Sequence, residues 1–270
     1  MFVKDIPEIK EKIRDYLDSR VLFGVGPEIE ASRYVVLNKR AHLWRPLITV
    51  ASARDYEISF DNTKTVASAV ELVHAASLIE DDISDKSEIR RGEPSCHIKF
   101  GNDLAHLAQM YLVQRAYNIL LDSGFDSLTD ARRVSITRLA SELGIKMISG
   151  QTRDVTQTEL DNPEEVIKMY EQKSGALIGL AIVSGAILKD AYHCDVDILV
   201  KLGTAMGVSY QIIDDALDSR ASPIEIGNPA GQDAKKKTLL NLVGIDGEIN
   251  INKEKDSEID RYLEMLSVEP

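Results

Sequence analysis

The stretch VASAVELVHAASLIEDDI, residues 66–83, decides the fold. Apolar side chains occupy nearly every face of the helix it predicts, which marks a helix buried within a bundle rather than one with a single wet face. The run then ends in acid: Asp81 and Asp82, with Asp85 two residues beyond Ile83. Carboxylates at i and i+4 stand one above the other, so Asp81 and Asp85 share a face. Like charges at that spacing repel, and a hard, oxygen-seeking cation such as Mg2+ between them offsets the repulsion.

Outward from this run, the pattern returns. Asp214, Asp215 and Asp218 repeat the spacing 133 positions later, again on an apolar helical run. Asp supplies 24 of the 270 residues, so chance would place two copies in only about one or two per cent of such chains. Ile79 and Ile213 sit just before the acids, on segments otherwise made for burial, which is unlike a solvated helix end. Mg2+ keeps several waters and combines one or two carboxylates with substrate phosphates, so the pair of motifs points to a diphosphate ligand. Arg90 and Arg91 after the first motif, and Lys173 with Ser174 between the motifs, are natural partners for such a ligand. Without the aspartates these cations would read as ordinary surface charge.

The remaining chain predicts more helices. Ile6, Ile9, Ile13 and Leu17 follow helical spacing, with Pro7 placed in a first turn. Further helices are predicted over 102–121, 127–149, 163–170, 174–188 and 195–217, and alternating strand patterns are nearly absent. Gly92-Glu93-Pro94 and Gly227-Asn228-Pro229 are the clearest breaks, one after each acidic motif. No linker divides the chain, so residues 1–270 predict one all-α domain, a bundle that brings both acidic ends to one mouth.

Composition removes several function classes. A net charge of −12 argues against nucleic acid as a partner, although bridging cations let an acidic protein take diphosphate. Residues 1–20 lack the apolar core of a signal peptide, and no transmembrane segment is expected. Cys96 and Cys194 have neither disulfide nor zinc spacing, so both are expected to be inert in a reducing cytoplasm.

The run from His74 to Asp85, continuing through Arg90-Arg91-Gly92-Glu93-Pro94 to Phe100-Gly101, resembles the first signature of the trans-isoprenyl diphosphate synthases. Gly150-Gln151 with Asp154, then Lys173-Ser174-Gly175-Ala176-Leu177, then the run from Gln211 to Asp218 resemble that family's later motifs in order and spacing. The likeness covers residues 39–244. It implies an isoprenoid synthase-type helical bundle around a central apolar cavity, usually a homodimer, that joins an allylic diphosphate to isopentenyl diphosphate with Mg2+. By the same resemblance, Asp81, Asp85 and Asp214 would hold Mg2+, with Asp82, Asp215 and Asp218 supporting. Arg90 and Lys173 would grip the allylic diphosphate, while His74, Arg45, Arg91 and the segment carrying His42 would face isopentenyl diphosphate. Ser174 and Gln211 would line the reacting centre.

The chain departs from the family in places. The isopentenyl-binding segment normally reads Gly-Gly-Lys-Arg-x-Arg-Pro; anchored on Arg45-Pro46, this chain has His42 for the lysine and Leu43 for the arginine, unless an insertion lets Lys39-Arg40 serve. Gly227-Asn228 and Ala108-Gln109 stand where the family often has Gly-Lys and Gly-Asp, and Lys235, Lys236 and Lys237 lie near the first of these. Three functions therefore stay open: a chain-elongating prenyltransferase, an enzyme that ionises the allylic diphosphate for cyclisation or another coupling, and a non-catalytic subunit paired with an active homologue. Small residues, Ala76 and Ser77, stand where bulky ones close the family's cavity. The resemblance thus implies a product of twenty carbons or more, with Val73, Met110 and Tyr111 as candidate lower walls.

Overall fold

A computed structural model describes residues 2–190, 193–220 and 237–239. The chain opens with α1 (Phe2–Tyr16) and a π-helical turn (Leu17–Val21), followed by α2 (Pro27–Val36), α3 (Trp44–Asp55) and α4 (Phe60–Ser84). A hairpin of β1 (Ile89–Arg90) and β2 (Glu93–Pro94) leads to α5 (Cys96–Phe100), α6 (Asn102–Leu121) and α7 (Asp130–Thr156). Then come α8 (Pro163–Tyr170), a second π-helical turn (Glu171–Gly175), α9 (Ala176–Leu188) and α10 (His193–Arg220). Among the described residues every regular element except that hairpin is helical, as the buried run at 66–83 predicts.

The core forms around helices without a polar face. In α9 every residue except Ile187 is buried, and the helix packs against α3, α7 and α10. Burying each Leu or Ile side chain there contributes roughly 1.5–3 kcal/mol. Gly203 lets α10 touch α9 backbone to backbone, since a Cβ there would lie 2.4 Å from the Gly179 Cα, and Gly207 lets it touch the end of the π-turn, where a Cβ would lie 2.3 Å from the Gly175 Cα. That contact fixes the second acidic motif, on α10, beside the π-turn that carries Lys173 and Ser174.

Several boundaries differ from the sequence expectation. Pro7 lies inside α1, which begins at Phe2. The helix predicted over 127–149 continues to Thr156, and α8, the π-turn and α9 follow one another without interruption because Gly175 adopts a helical φ of −70°. Helix α10 runs to Arg220, so the second motif lies within a helix and not at its end. Helix α3, buried from Arg45 to Ala53, shows no amphipathic periodicity that could announce it. The expectation of no membrane-length apolar run is corrected as well: Val196–Asp215 has the length and composition to cross a bilayer. Its small residues Gly203 and Gly207 serve packing against α9 and against the π-turn before it.

Candidate active site

The last turn of α4 stays helical through Asp85, whose N–H donates to the Asp81 carbonyl at 2.8 Å, so Asp81 and Asp85 share a face as expected. Asp82 points inward and is 3% exposed. Arg90, delivered by β1, donates to Asp82 Oδ1 from Nε at 2.8 Å, with Nη2 2.6 Å from the same oxygen. Burial pushes the Asp82 carboxyl up to about 6 against the pull of Arg90. The hairpin brings Arg90 back to α4 through positive φ at Arg91 and Gly92, 55° and 74°.

The π-turn sets a second cation against the first motif, beside Asp81. Lys173 Nζ lies 2.6 Å from Asp154 Oδ2 and 3.5 Å from Asp81 Oδ1. Burial alone would lower its pKa, but Asp81 and Asp154 outweigh that and hold it above its ordinary value. Gln151 Nε2 donates to Asp81 Oδ1 at 2.7 Å. Gly150 makes this possible, because a Cβ there would meet the Lys173 nitrogen at 2.3 Å. An extra residue in a helical turn re-aims the side chains after it, and such insertions recur at functional sites.

The second motif has an outer and an inner acid. Asp214 is exposed, whereas Asp215 is 4% exposed. Asp215 Oδ1 accepts from Gln211 Nε2 at 2.9 Å, and Oδ2 accepts from the Tyr170 hydroxyl. Gln211 Oε1 in turn accepts from Ser174 Oγ at 2.7 Å. A continuous path therefore links the motifs: Asp81, Lys173, Ser174, Gln211, Asp215. Arg90 lies in the field of both, since Asp82, Asp81 and Asp214 overcome its burial and raise its pKa. The Asp218 side chain, Gly227-Asn228, Lys235 and Lys236 lie outside the described residues. Lys237 Nζ sits 2.7 Å from Asp161 Oδ1.

On the other side of Arg90 lies a second cationic group. Arg45 is 8% exposed, and its Nη1 is 3.1 Å from His74 Nε2. A guanidinium only donates, so Nε2 accepts and the imidazole proton sits on Nδ1. Burial, then Arg45, Arg91 and Arg90, hold His74 well below its ordinary pKa, which keeps it neutral. Arg45 Nε is buried without a hydrogen-bond partner, and the guanidinium lies 4.3 Å from the Trp44 ring, itself stacked on Tyr210 at 5.4 Å. Glu71, one turn before His74, is 1% exposed, and burial pushes its carboxyl up to about 7 despite Arg91, Arg45 and Arg14.

Sequence reasoning missed Glu71, although a lone acid inside an apolar helix was a visible signal. It also missed Tyr170, whose partner is far away in sequence.

The departures in the isopentenyl-type segment fall into place. Leu43 is buried in the core with φ 55°, and the His42 side chain is exposed. Arg40 reaches the hairpin instead: its Nη1 donates to the Arg91 carbonyl at 3.2 Å, and it lies against Gly92. Ala108 is buried, and Gln109 Nε2 donates to Glu80 Oε2 at 3.1 Å. Cys96 is buried and its thiol pushed up to about 11, as expected of an inert cysteine; the Cys194 side chain lies outside the described residues.

Among the described residues no three acidic, His or Cys side chains converge to hold an ion by themselves. Oxygen donors offered singly or in pairs from two helices suit Mg2+, which completes its shell with water and phosphate. Asp81, Asp85 and Asp214 are the described acids of the two motifs that are not sealed in the core.

Comparison with known proteins identifies the family. Residues 27–266 match the family model described as polyprenyl synthetase. A geranylgeranyl diphosphate synthase of Pseudescherichia vulneris is 29% identical over 272 residues, covering 96% of this chain and 86% of the relative. A farnesyl diphosphate synthase of Escherichia coli is 33% identical over 232 residues, with coverage of 83% and 77%. Among solved structures, a geranyltranstransferase of Thermotoga maritima superposes with a TM-score of 0.73 at 28% identity, covering 97% of this chain and 96% of that one. A Helicobacter pylori geranyltransferase, solved with magnesium and isoprenyl diphosphate, shares the fold with a TM-score of 0.78 at 23% identity, over 98% of this chain and 88% of that one. With the family model matching most of its length and these relatives covered over most of theirs, the chain belongs to the polyprenyl synthetase family, the trans-isoprenyl diphosphate synthases.

Proposed function

We propose that this chain condenses an allylic diphosphate with isopentenyl diphosphate in the presence of Mg2+ to give a trans-polyprenyl diphosphate of twenty carbons or more. The observation that carries this is the path from Asp81 through Lys173, Ser174 and Gln211 to Asp215, with Arg90 in the field of both motifs.

Bound Mg2+ supplies neutralisation of the charge that grows on the departing diphosphate. Lys173 and Arg90 orient that diphosphate from the protein side. Neutral His74 holds Arg45, and Arg45, Arg91 and Arg40 orient the acceptor diphosphate. The allylic carbon–oxygen bond breaks, the acceptor alkene forms the new carbon–carbon bond, and the proton then lost passes to the released diphosphate. Apolar walls keep water from the allylic cation.

Product length follows from α4. Ala76 is buried and small, and Ser77 is half-buried, so α4 itself places no bulky side chain four or five residues before Asp81. Val73 and Tyr111, partly buried against the core, are the deeper walls. Met110, 64% exposed on α6, points away and is no wall of the chain's own interior.

Met110 instead belongs to an apolar face: Leu107, Met110 and Leu121 on α6, and Val134, Ile145, Ile148 and Val155 on α7 are exposed at helical spacing. A second copy covering this face gives a homodimer; a homologous chain there gives a heterodimer.

The test is incubation of the purified chain with Mg2+, labelled isopentenyl diphosphate and a panel of allylic primers. The expected result is elongated product of twenty carbons or more, abolished by chelation, and Ala76→Phe shortens it. Farnesyl diphosphate as end product contradicts the length. Products formed without isopentenyl diphosphate would instead mark an ionising enzyme of another type, and activity only with an added homologue would mark a subunit.

A further inference from the structure

We propose that Tyr170 is a positioning residue that aims Asp215 and couples that aim to the seating of residues 237–239. This rests on the second acidic motif serving the diphosphate as described above.

The phenol is a three-way junction. Tyr170 is 2% exposed, and its ring packs with Leu160, Val166 and Met169 in an apolar cluster separate from the main core, against which Val208, Ile212 and Leu239 lie. Its hydroxyl donates to Asp215 Oδ2 and accepts from the Leu239 N–H at 3.0 Å. Gln211, one turn earlier on α10, holds the other oxygen of Asp215. A carboxylate gripped only from its own helix would follow that helix's last turns; Tyr170 ties it to α8.

Residues 237–239 are seated by the same neighbourhood. The Lys237 N–H donates to Gln157 Oε1 at 2.6 Å, and Lys237 Nζ reaches Asp161 Oδ1 at 2.7 Å. Lifting this segment would free the tyrosine hydroxyl from the Leu239 N–H and loosen the Asp215 clamp. Burial and the Asp215 charge raise the phenol well above its ordinary range, so it remains a donor. The first motif has no such dependence, because Arg90 comes from the hairpin that directly follows it.

The test uses the full chain and two substitutions. Tyr170→Phe keeps the ring in its apolar cluster and removes the junction. Gln157→Asn keeps a residue at ease at φ 53° but shortens its reach to the Lys237 N–H. Tyr170→Phe is expected to raise the Mg2+ concentration for half-maximal turnover by about tenfold, the scale of a lost hydrogen bond to a charged group, and Gln157→Asn, which gives up a bond between uncharged groups, by about threefold, while the KM for isopentenyl diphosphate stays within about twofold in both. The double variant should be no worse than Tyr170→Phe alone. Independently of turnover, Mg2+ with inorganic diphosphate should slow amide exchange at 237–239 in the parent chain and not in Tyr170→Phe.

An unchanged Mg2+ midpoint in Tyr170→Phe, fully additive effects in the double variant, or equal protection of 237–239 in both proteins overturns the proposal. Absence of prenyl transfer by the parent chain overturns the functional assignment instead, and the exchange measurement still decides the coupling.

Discussion

The two acidic motifs share one spacing and hold their inner aspartate by different means. Asp82 is gripped by a guanidinium, Arg90, whereas Asp215 is gripped by the neutral donors Tyr170 and Gln211. The spacing puts the outer acids on one face in both helices, but the charge balance around them is set elsewhere in the chain. The first motif has its cations built in, Arg90 and Lys173. The second holds Asp215 through Tyr170 and Gln211 and shares the field of Arg90.

The severest way to break this comparison is to remove an outer acid from each motif. Asp81→Asn and Asp214→Asn are each expected to lower kcat/KM for the allylic substrate by about 10²–10³-fold, the scale of losing one electrostatic contact to the transition state. A far smaller loss for Asp214→Asn would show that the second motif is dispensable. Next in size is Gly150→Ala, which forces a methyl against the Lys173 backbone. Unfolding in denaturant should show a loss of about 1–3 kcal/mol, with a rise in allylic KM as Lys173 shifts; an unchanged midpoint contradicts the close packing. Arg90→Lys keeps the charge but gives up the two-nitrogen grip on Asp82. It should raise the allylic KM by roughly tenfold and leave the KM for isopentenyl diphosphate nearly unchanged, and equal changes in both would place Arg90 outside the first motif's own function.

The smallest expected effect concerns the buried acid near the acceptor group. Glu71 has a folded pKa of about 7, above its reference value of 4.5, so the folded state binds the extra proton between those limits. Its stabilising contribution is complete below about pH 4.5 and is lost as pH rises through about 7. Glu71→Gln removes that slope: the stability of the parent relative to the variant should fall from pH 5 to pH 8 in denaturant unfolding. Parallel curves would contradict it. His74, kept neutral by burial and three arginines, should add no step to the pH–activity profile near 6.5.

Much of this was legible in the chain. The run at 66–83 announces a buried helix because its apolar residues leave no wet face, and i,i+4 geometry places Asp81 over Asp85 without reference to anything distant. Lys173 and Ser174 were visible as chemistry between the motifs, but not the π-turn that aims them, since an extra residue in a helix leaves no periodic trace. The clamps were illegible because they are contacts between residues far apart: Tyr170 meets Asp215 across 45 positions, and Arg40 meets Arg91 across 51. Aligning on Arg45-Pro46 put Leu43 in the place of a phosphate-binding arginine, yet its left-handed backbone turns it into the core while Arg40 takes the hairpin.

The central claim is that both motifs gather divalent ions around one diphosphate. It is tested most directly by a crystal structure of the chain with Mn2+ and a non-cleavable allylic thiolodiphosphate, with the ions located by anomalous scattering. The account predicts ions bridging the diphosphate to Asp81 and Asp85 on one side and to Asp214 on the other. Ions confined to one motif, or a diphosphate bound away from both, would contradict it.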